Sequence, residues 1–277
     1  MRIGIFDSGI GGLSVLNEAY HRFPDQEYIF YADIKHVPYG TKSETEILGF
    51  VDEIVNFLIE KKVDAIVIAC NTATSVAVAK MREKYDLPIL GMEPAVKPAI
   101  EEPCDENKRV LVMATPVTIR EKKLARLLTR VDIQHRADLL EMPELVRFAE
   151  REEYDSDDVK KYISERFKTF DVTEDKYSSL VLGCTHFNYF KPMYREILGE
   201  KIHLIDGNYG TVHHLGEVLG LQMKNEPDSG IRFDEPQDIV VGFKTAYYES
   251  GDEITDNTRL SKYLRMLNRL EFVRNYR

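Results

Sequence analysis

Eight short apolar runs punctuate the chain: residues 2–6 (RIGIF), 28–32 (YIFYA), 65–69 (AIVIA), 88–91 (PILG), 109–114 (RVLVMA), 179–183 (SLVLG), 202–205 (IHLI) and 238–243 (DIVVGF). They are continuous rather than alternating, the pattern of strands covered on both faces of a parallel sheet. Helical patterns lie between them. Ser43 and Glu46 form a capping-box signature, and Ile47, Phe50, Val51, Ile54, Phe57 and Leu58 then recur at helical spacing, which predicts a helix over 44–61. Less regular patterns predict helices over 75–85, 118–130, 143–152, 157–169, 192–199 and 210–221, with a terminal packing helix over 257–276. Strands alternating with helices indicate an α/β fold with a mostly parallel sheet. The 277 residues suit one large domain or two smaller ones.

An internal duplication favours two. Residues 65–72 read AIVIACNT and residues 180–185 read LVLGCT. Each is an apolar strand, a small residue, a cysteine and a nearby Thr, followed by a helical pattern. The expectation is two similar α/β halves facing each other, with each cysteine on its own sheet. The acidic stretch 101–108 (EEPCDENK) would be the crossover and 206–209 (DGNY) the return. That makes the first domain discontinuous, residues 1–97 plus 208–277, and the second 98–207. Residues 224–237 read as loop.

Charge and cysteine usage narrow the function. The formal net charge is −10, which argues against general nucleic-acid binding, since that depends on Lys and Arg displacing counterions. The three cysteines, Cys70, Cys104 and Cys184, have no framework spacing and fit a reducing cytoplasm. The opening MRIGIFDSG is too short in its apolar part for a secretory signal, and no run approaches a membrane span.

Three places carry chemistry. The loop Asp7-Ser8-Gly9-Ile10-Gly11-Gly12-Leu13-Ser14 joins the first strand to a helix. As a dinucleotide fingerprint it supplies Gly9 and Gly11, with Asp33 at the distance of a ribose contact, but Ser14 occupies the third glycine position. A plain strand–helix turn and a carboxylate-binding turn that uses Asp7 remain alternatives. A P-loop is excluded, because no Gly-Lys-Ser/Thr follows. Cys70 and Cys184 each lie just past the C-terminal end of a strand, where open α/β sheets bind ligands, and ahead of a helix whose field favours a thiolate. Zinc is a poorer reading, because Cys184-Thr185-His186 lacks structural-site spacing. A Cys–His nucleophilic hydrolase would leave one cysteine unused. Cys104, in Glu-Pro-Cys-Asp, follows no strand and reads as incidental.

At these residues the chain resembles the glutamate racemase family of the aspartate/glutamate racemase superfamily. DSGIGGLSVL (7–16), VPYGTKS (37–43), ACNTATS (69–75), GMEPAVKPA (91–99), ATPVTI (114–119) and GCTHF (183–187) are similar to the family's motifs, in the family's order, and YYESGD (247–252) is a fainter echo. The resemblance implies two pseudosymmetric parallel-sheet α/β domains with the site in the cleft between them. It implies 1,1-proton transfer without a cofactor or metal, Cys70 serving as the base for D-glutamate and Cys184 as the base for L-glutamate. Asp7 and His186 match the assisting residues beside the two cysteines. Ser8, Tyr39, Gly40, Asn71, Thr72 and Thr185 match substrate-binding positions. Glu150, in MPELVRFAE, matches an acidic residue near the site, although Met142 stands where the family has a cysteine. The resemblance also implies a homodimer, and nothing functional is carried onto the tail from about residue 223.

Overall fold

The computed structural model describes residues 1–92, 94–101, 107–224 and 233–276. Four strands come first: β1 (Arg2–Asp7), β2 (Glu27–Ala32), β3 (Ala65–Ile68) and β4 (Ile89–Gly91). Helices α1 (Leu13–Arg22), α2 (Glu44–Glu60) and α3 (Asn71–Lys84) connect them. After α4 (Val96–Glu101) the pattern restarts with β5 (Arg109–Ala114), β6 (Ala137–Glu141), β7 (Tyr177–Leu182) and β8 (His203–Asp206). Their connections hold α5 (Pro116–Arg120), α6 (Lys122–Val131), α7 (Pro143–Glu150), α8 (Asp157–Lys168) and α9 (Lys191–Leu198). Then follow α10 (Asn208–Leu219), β9 (Thr245–Glu249), β10 (Asp252–Glu253) and α11 (Asn257–Val273).

These strands form two sheets, ordered β10-β9-β2-β1-β3-β4 and β6-β5-β7-β8. Every pairing is parallel except β9 with β10. Within each sheet the first four strands of the segment take one order: second, first, third, fourth. Thus β3 and β7, which lead into Cys70 and Cys184, occupy equivalent places on different sheets. The chain returns to the first sheet at its end, where β9 pairs with β2.

The local physics is visible in α2. Ser43 Oγ accepts from the Glu46 amide at 3.3 Å, and Glu46 Oε2 accepts from the Ser43 amide at 2.9 Å. That satisfies two amides which the first helical turn leaves unpaired. Ile47, Val51, Ile54, Val55 and Leu58 are buried, and they pack with Ile66 and Ile68 of β3.

Several boundaries differ from the sequence reading. Residues 238–243 are not a strand. Asp238–Gly242 is a π-helical turn, and the strand is Thr245–Glu249. In the apolar run only Ile239 is buried, whereas Val241 is 73% exposed. Hydrophobicity alone does not separate a short strand from a packed turn, and the Thr- and Tyr-bearing segment beside it takes the β2 edge. The predicted helix over 118–130 is two helices divided at Glu121, whose φ of −67° and ψ of 137° are extended. The third helix starts at Asn71 rather than 75, so Cys70 itself is its N-cap. The strand β6 was not predicted. Cys104 and most of the crossover lie outside the described residues, as does most of 224–237.

Candidate active site

The site forms where the C-terminal ends of β1, β3 and β7 meet, with α7 closing it. Asp7 ends β1 and is fully buried. Its Oδ1 accepts from the Gly9 amide at 3.0 Å and from Ser8 Oγ at 3.3 Å. Its Oδ2 accepts from Thr185 Oγ1 at 2.9 Å, and so joins the two sheets. Cys70 donates from Sγ to Ser8 Oγ at 3.6 Å, and its sulfur accepts from the Ala73 amide at 3.4 Å. In the second half, Cys184 Sγ lies 3.7 Å from His186 Nδ1. His186 Nε2 is 2.7 Å from Glu150 Oε1, which also accepts from the Ile10 amide at 2.9 Å. A continuous path of contacts therefore runs from Cys184 through His186 and Glu150 to the loop after β1.

The two thiols sit in opposite electrostatic settings. Burial, then the negative charge of Asp7, push the Cys70 thiol up to about 12, and the bonds from Ala73 and Ser8 offset this only in part. The expectation that a helix N-terminus favours the Cys70 thiolate is therefore overturned by desolvation. Cys184 is followed not by an α-helix but by a six-residue 3-10 segment, Thr185–Phe190, and its side chain makes no capping bond. It faces His186 instead. Burial opposes a charged His186 ring, but its hydrogen bonds to Cys184 and Glu150 outweigh it and hold the ring well above its ordinary value. Asp7 is raised, chiefly by burial and against the nearby charge of His186.

The remaining predicted residues are all buried. Asn71 is buried, with Nδ2 3.4 Å from Met92 Sδ and Oδ1 without a partner. Thr72 Oγ1 lies 2.9 Å from Thr115 Oγ1. Tyr39 is buried, and its hydroxyl donates to Asp33 Oδ2 at 2.6 Å. Gly40 packs so closely on Thr115 that a Cβ would meet the threonine Cβ at 3.0 Å.

A family model for the Asp/Glu/Hydantoin racemases matches residues 12–215. Proteins named glutamate racemase from Campylobacter concisus and Campylobacter curvus are 45% and 47% identical, covering 99% and 98% of this chain and the same shares of their own. Among solved structures, the glutamate racemase of Escherichia coli, in complex with L-glutamate and the activator UDP-MurNAc-Ala, superposes with a TM-score of 0.76 at 26% identity, covering 92% of this chain and 99% of its own. That of Francisella tularensis, in complex with D-glutamate, gives 0.73 at 26%, covering 95% and 93%. This chain belongs to the Asp/Glu/hydantoin racemase family.

Membership of that family of isomerases sets aside the dinucleotide reading of the glycine loop, and the structure supplies the reason for the glycines. A Cβ on Gly9 would collide with Glu150 Oε1, and one on Gly11 with His186 Nδ1 and Thr185 Oγ1. Neither is among the glycines with positive φ. They are small because the second half of the racemase fold presses on them. Asp33 likewise serves Tyr39, His36 and Ser250 through its carboxylate.

Two residues escaped the sequence reading. Thr115 and Thr118 form a buried hydroxyl cluster with Thr72, with the Thr115–Thr118 oxygens 3.0 Å apart. The signal was available: Thr115 follows β5 as Asp7 ends β1, so the internal duplication marks its position. Met142 is fully buried in the hydrophobic core at the N-cap of α7. Among the described residues no group of three or more His, Cys, Asp and Glu side chains is placed to hold a metal ion. No described helix is long and apolar enough to cross a membrane.

Proposed function

We propose that this protein interconverts L- and D-glutamate by two-base 1,1-proton transfer, with no cofactor. The observation that carries the reading is the placement of Cys70 and Cys184 at the ends of equivalent strands on two different sheets, joined by the Asp7–Thr185 hydrogen bond. Inverting an α-carbon requires removal of a proton from one face and delivery to the other. Two thiols on facing halves suit that task.

The asymmetry of the pair supports opposite protonation states at rest. Burial and the charge of Asp7 hold Cys70 as a thiol, while Cys184 Sγ lies 3.7 Å from His186 Nδ1. With L-glutamate bound, Cys184 takes the α-proton and the C–H electron pair moves into the α-carboxylate. The Cys70 thiol then protonates the opposite face, giving D-glutamate. The reverse direction exchanges the roles, with Asp7 beside Cys70. Developing charge on the α-carboxylate calls for preorganised donors, and Ser8, Asn71, Thr72 and Thr185 are buried where they can supply them.

The wider setting follows from the same reading. We assign residues 1–97 plus 208–277 to one domain and 98–207 to the other, a homodimeric assembly, a cytoplasmic location and a role in supplying D-glutamate for peptidoglycan. Polarimetry of L-glutamate in D₂O with purified protein and no additive tests the reaction. Loss of optical rotation with deuterium at Cα is expected, and Cys70→Ala and Cys184→Ala should each abolish it. Full turnover by either variant overturns the two-base assignment, and aspartate racemised faster than glutamate overturns the substrate.

A further inference from the structure

The C-terminal helix α11 belongs by packing to the first sheet. Leu260, Tyr263, Met266, Leu267 and Leu270 are buried, and the Tyr263 ring lies against Phe30 and Tyr247 at 6.1 and 5.1 Å. Glu271 reaches α1 at His21 Nε2, 2.6 Å away. From this anchored helix two arginines one turn apart reach into the second half. Arg265 makes a forked contact with Glu152, at 2.9 and 2.8 Å. Arg269 makes another with Asp155, at 2.9 and 2.7 Å, and also donates to the Tyr189 carbonyl at 3.1 Å. Arg269 is only 14% exposed, and its guanidinium lies over the Tyr154 ring, 5.2 Å from the centroid.

What these arginines grip is the turn directly after α7, whose last residue is Glu150. Glu152 has a φ of +58°, a left-handed conformation that favours glycine and persists where surroundings hold it. Tyr154 stacks on Tyr189, with centroids 5.2 Å apart, and the Tyr189 hydroxyl donates to the Ile10 carbonyl at 3.2 Å. The same peptide segment contributes the Ile10 amide to Glu150. The clamp thus fixes both ends of the contact that orients His186.

We infer that Arg269, with Arg265 before it, is a positioning residue that holds the Glu150–His186 pair in register with Cys184 from the C-terminal helix. This rests on the racemase reading for its catalytic consequence but not for its geometry. An exposed ion pair alone would contribute little. Arg269 differs because it is mostly buried, binds two acceptors at once and stacks on an aromatic ring.

The test uses the full chain and its two site cysteines as separate reporters. Timed alkylation with iodoacetamide, resolved by peptide mass spectrometry, gives the rates of Cys184 and Cys70 independently. Arg269→Ala should slow Cys184 by about threefold or more, because a thiol facing a loosely held imidazolium loses its activation, while Cys70 does not change. Asp155→Asn, on an exposed partner, should shift Cys184 in the same direction. Arg269→Lys should recover part of the rate. Arg259→Ala, on the exposed face of the same helix, should leave both cysteines unchanged. Racemisation by Arg269→Ala should fall about tenfold in kcat with KM less affected, since misplacement of a catalytic group costs rate more than binding. Equal changes at both cysteines, or none at Cys184, would overturn the clamp. Wild-type protein inert toward glutamate would overturn the racemase reading instead, and the alkylation rates would still decide the clamp.

Discussion

Thr185 Oγ1 donates to Asp7 Oδ2 at 2.9 Å, so the residue after the second sheet's cysteine is bonded to the last residue of the first sheet's central strand. Both partners are at most 1% exposed. The bond stabilises a carboxylate that burial otherwise penalises, and it ties the two sheets together next to Cys184.

Thr185→Val keeps the shape and removes the donor. It leaves a buried carboxylate oxygen unpaired, at a cost of about 1–3 kcal/mol. Since the Thr185 bond lowers the Asp7 carboxyl against burial, its loss should raise that group further. Urea unfolding should show the destabilisation, and turnover should fall by about tenfold or more because Asp7 is no longer held in place. A variant with wild-type stability and rate would show that the halves are held together elsewhere.

Cys70 gives the fold an alkaline weakness. Its thiol rises from an ordinary 9.0 to about 12 in the folded chain. A group raised on folding stabilises fully below its unfolded value, and that contribution is lost as pH rises through the folded one. Between pH 9 and 12 the native state should therefore lose stability that Cys70→Ser retains. Melting temperatures of the two proteins across that window should diverge, with the wild type falling more steeply. Parallel curves would mean that Cys70 ionises in the folded chain as easily as in the unfolded one.

Gly11 and Gly49 make a matched pair. A Cβ at Gly11 collides with His186 Nδ1 and Thr185 Oγ1, whereas one at Gly49 meets nothing within 4 Å. Gly11→Ala should destabilise by about 1–3 kcal/mol through overpacking and should abolish turnover by displacing His186. Gly49→Ala, inside α2, should stabilise by about 1 kcal/mol through helix propensity and leave activity intact. Thermal melts and racemisation rates of both variants check this, and an active Gly11→Ala protein would refute the close approach.

Much of this was legible because parallel strands buried on both faces write themselves as apolar runs, and β1, β3, β5 and β7 carry the site at their ends. The repeated strand-Cys-Thr unit foretold two sheets. The edges were harder to read. β6 (ADLLE) has two acids in five residues, because an edge strand is not buried on both faces, and its burial is mostly partial. The Asp238–Gly242 turn carries the more apolar run, yet β9 takes the β2 edge with Thr245, Tyr247 and Tyr248. The glycine loop was ambiguous for a different reason. Nothing local distinguishes glycine needed for a turn from glycine needed because His186, 175 or so residues later, comes to rest on it.

Glu150 offers the sharpest pH test. His186 is raised because its bonds to Cys184 and Glu150 outweigh burial. Glu150→Gln keeps an acceptor oxygen beside Nε2 but removes the charge, so the folded-state value of His186 should fall. His186 contributes stability that is complete below the unfolded value near 6.5 and is lost as pH rises through the folded value. The variant should therefore lose stability at neutral and mildly acidic pH and match the wild type at alkaline pH. The alkaline limb of the kcat profile with L-glutamate should move to lower pH, with a fall of about tenfold at neutral pH, within the range ascribed to general acid–base groups. Mass-resolved histidine titration and the rate profile are to be measured together. A limb that stays in place while the rate falls would assign Glu150 to substrate contact rather than to His186.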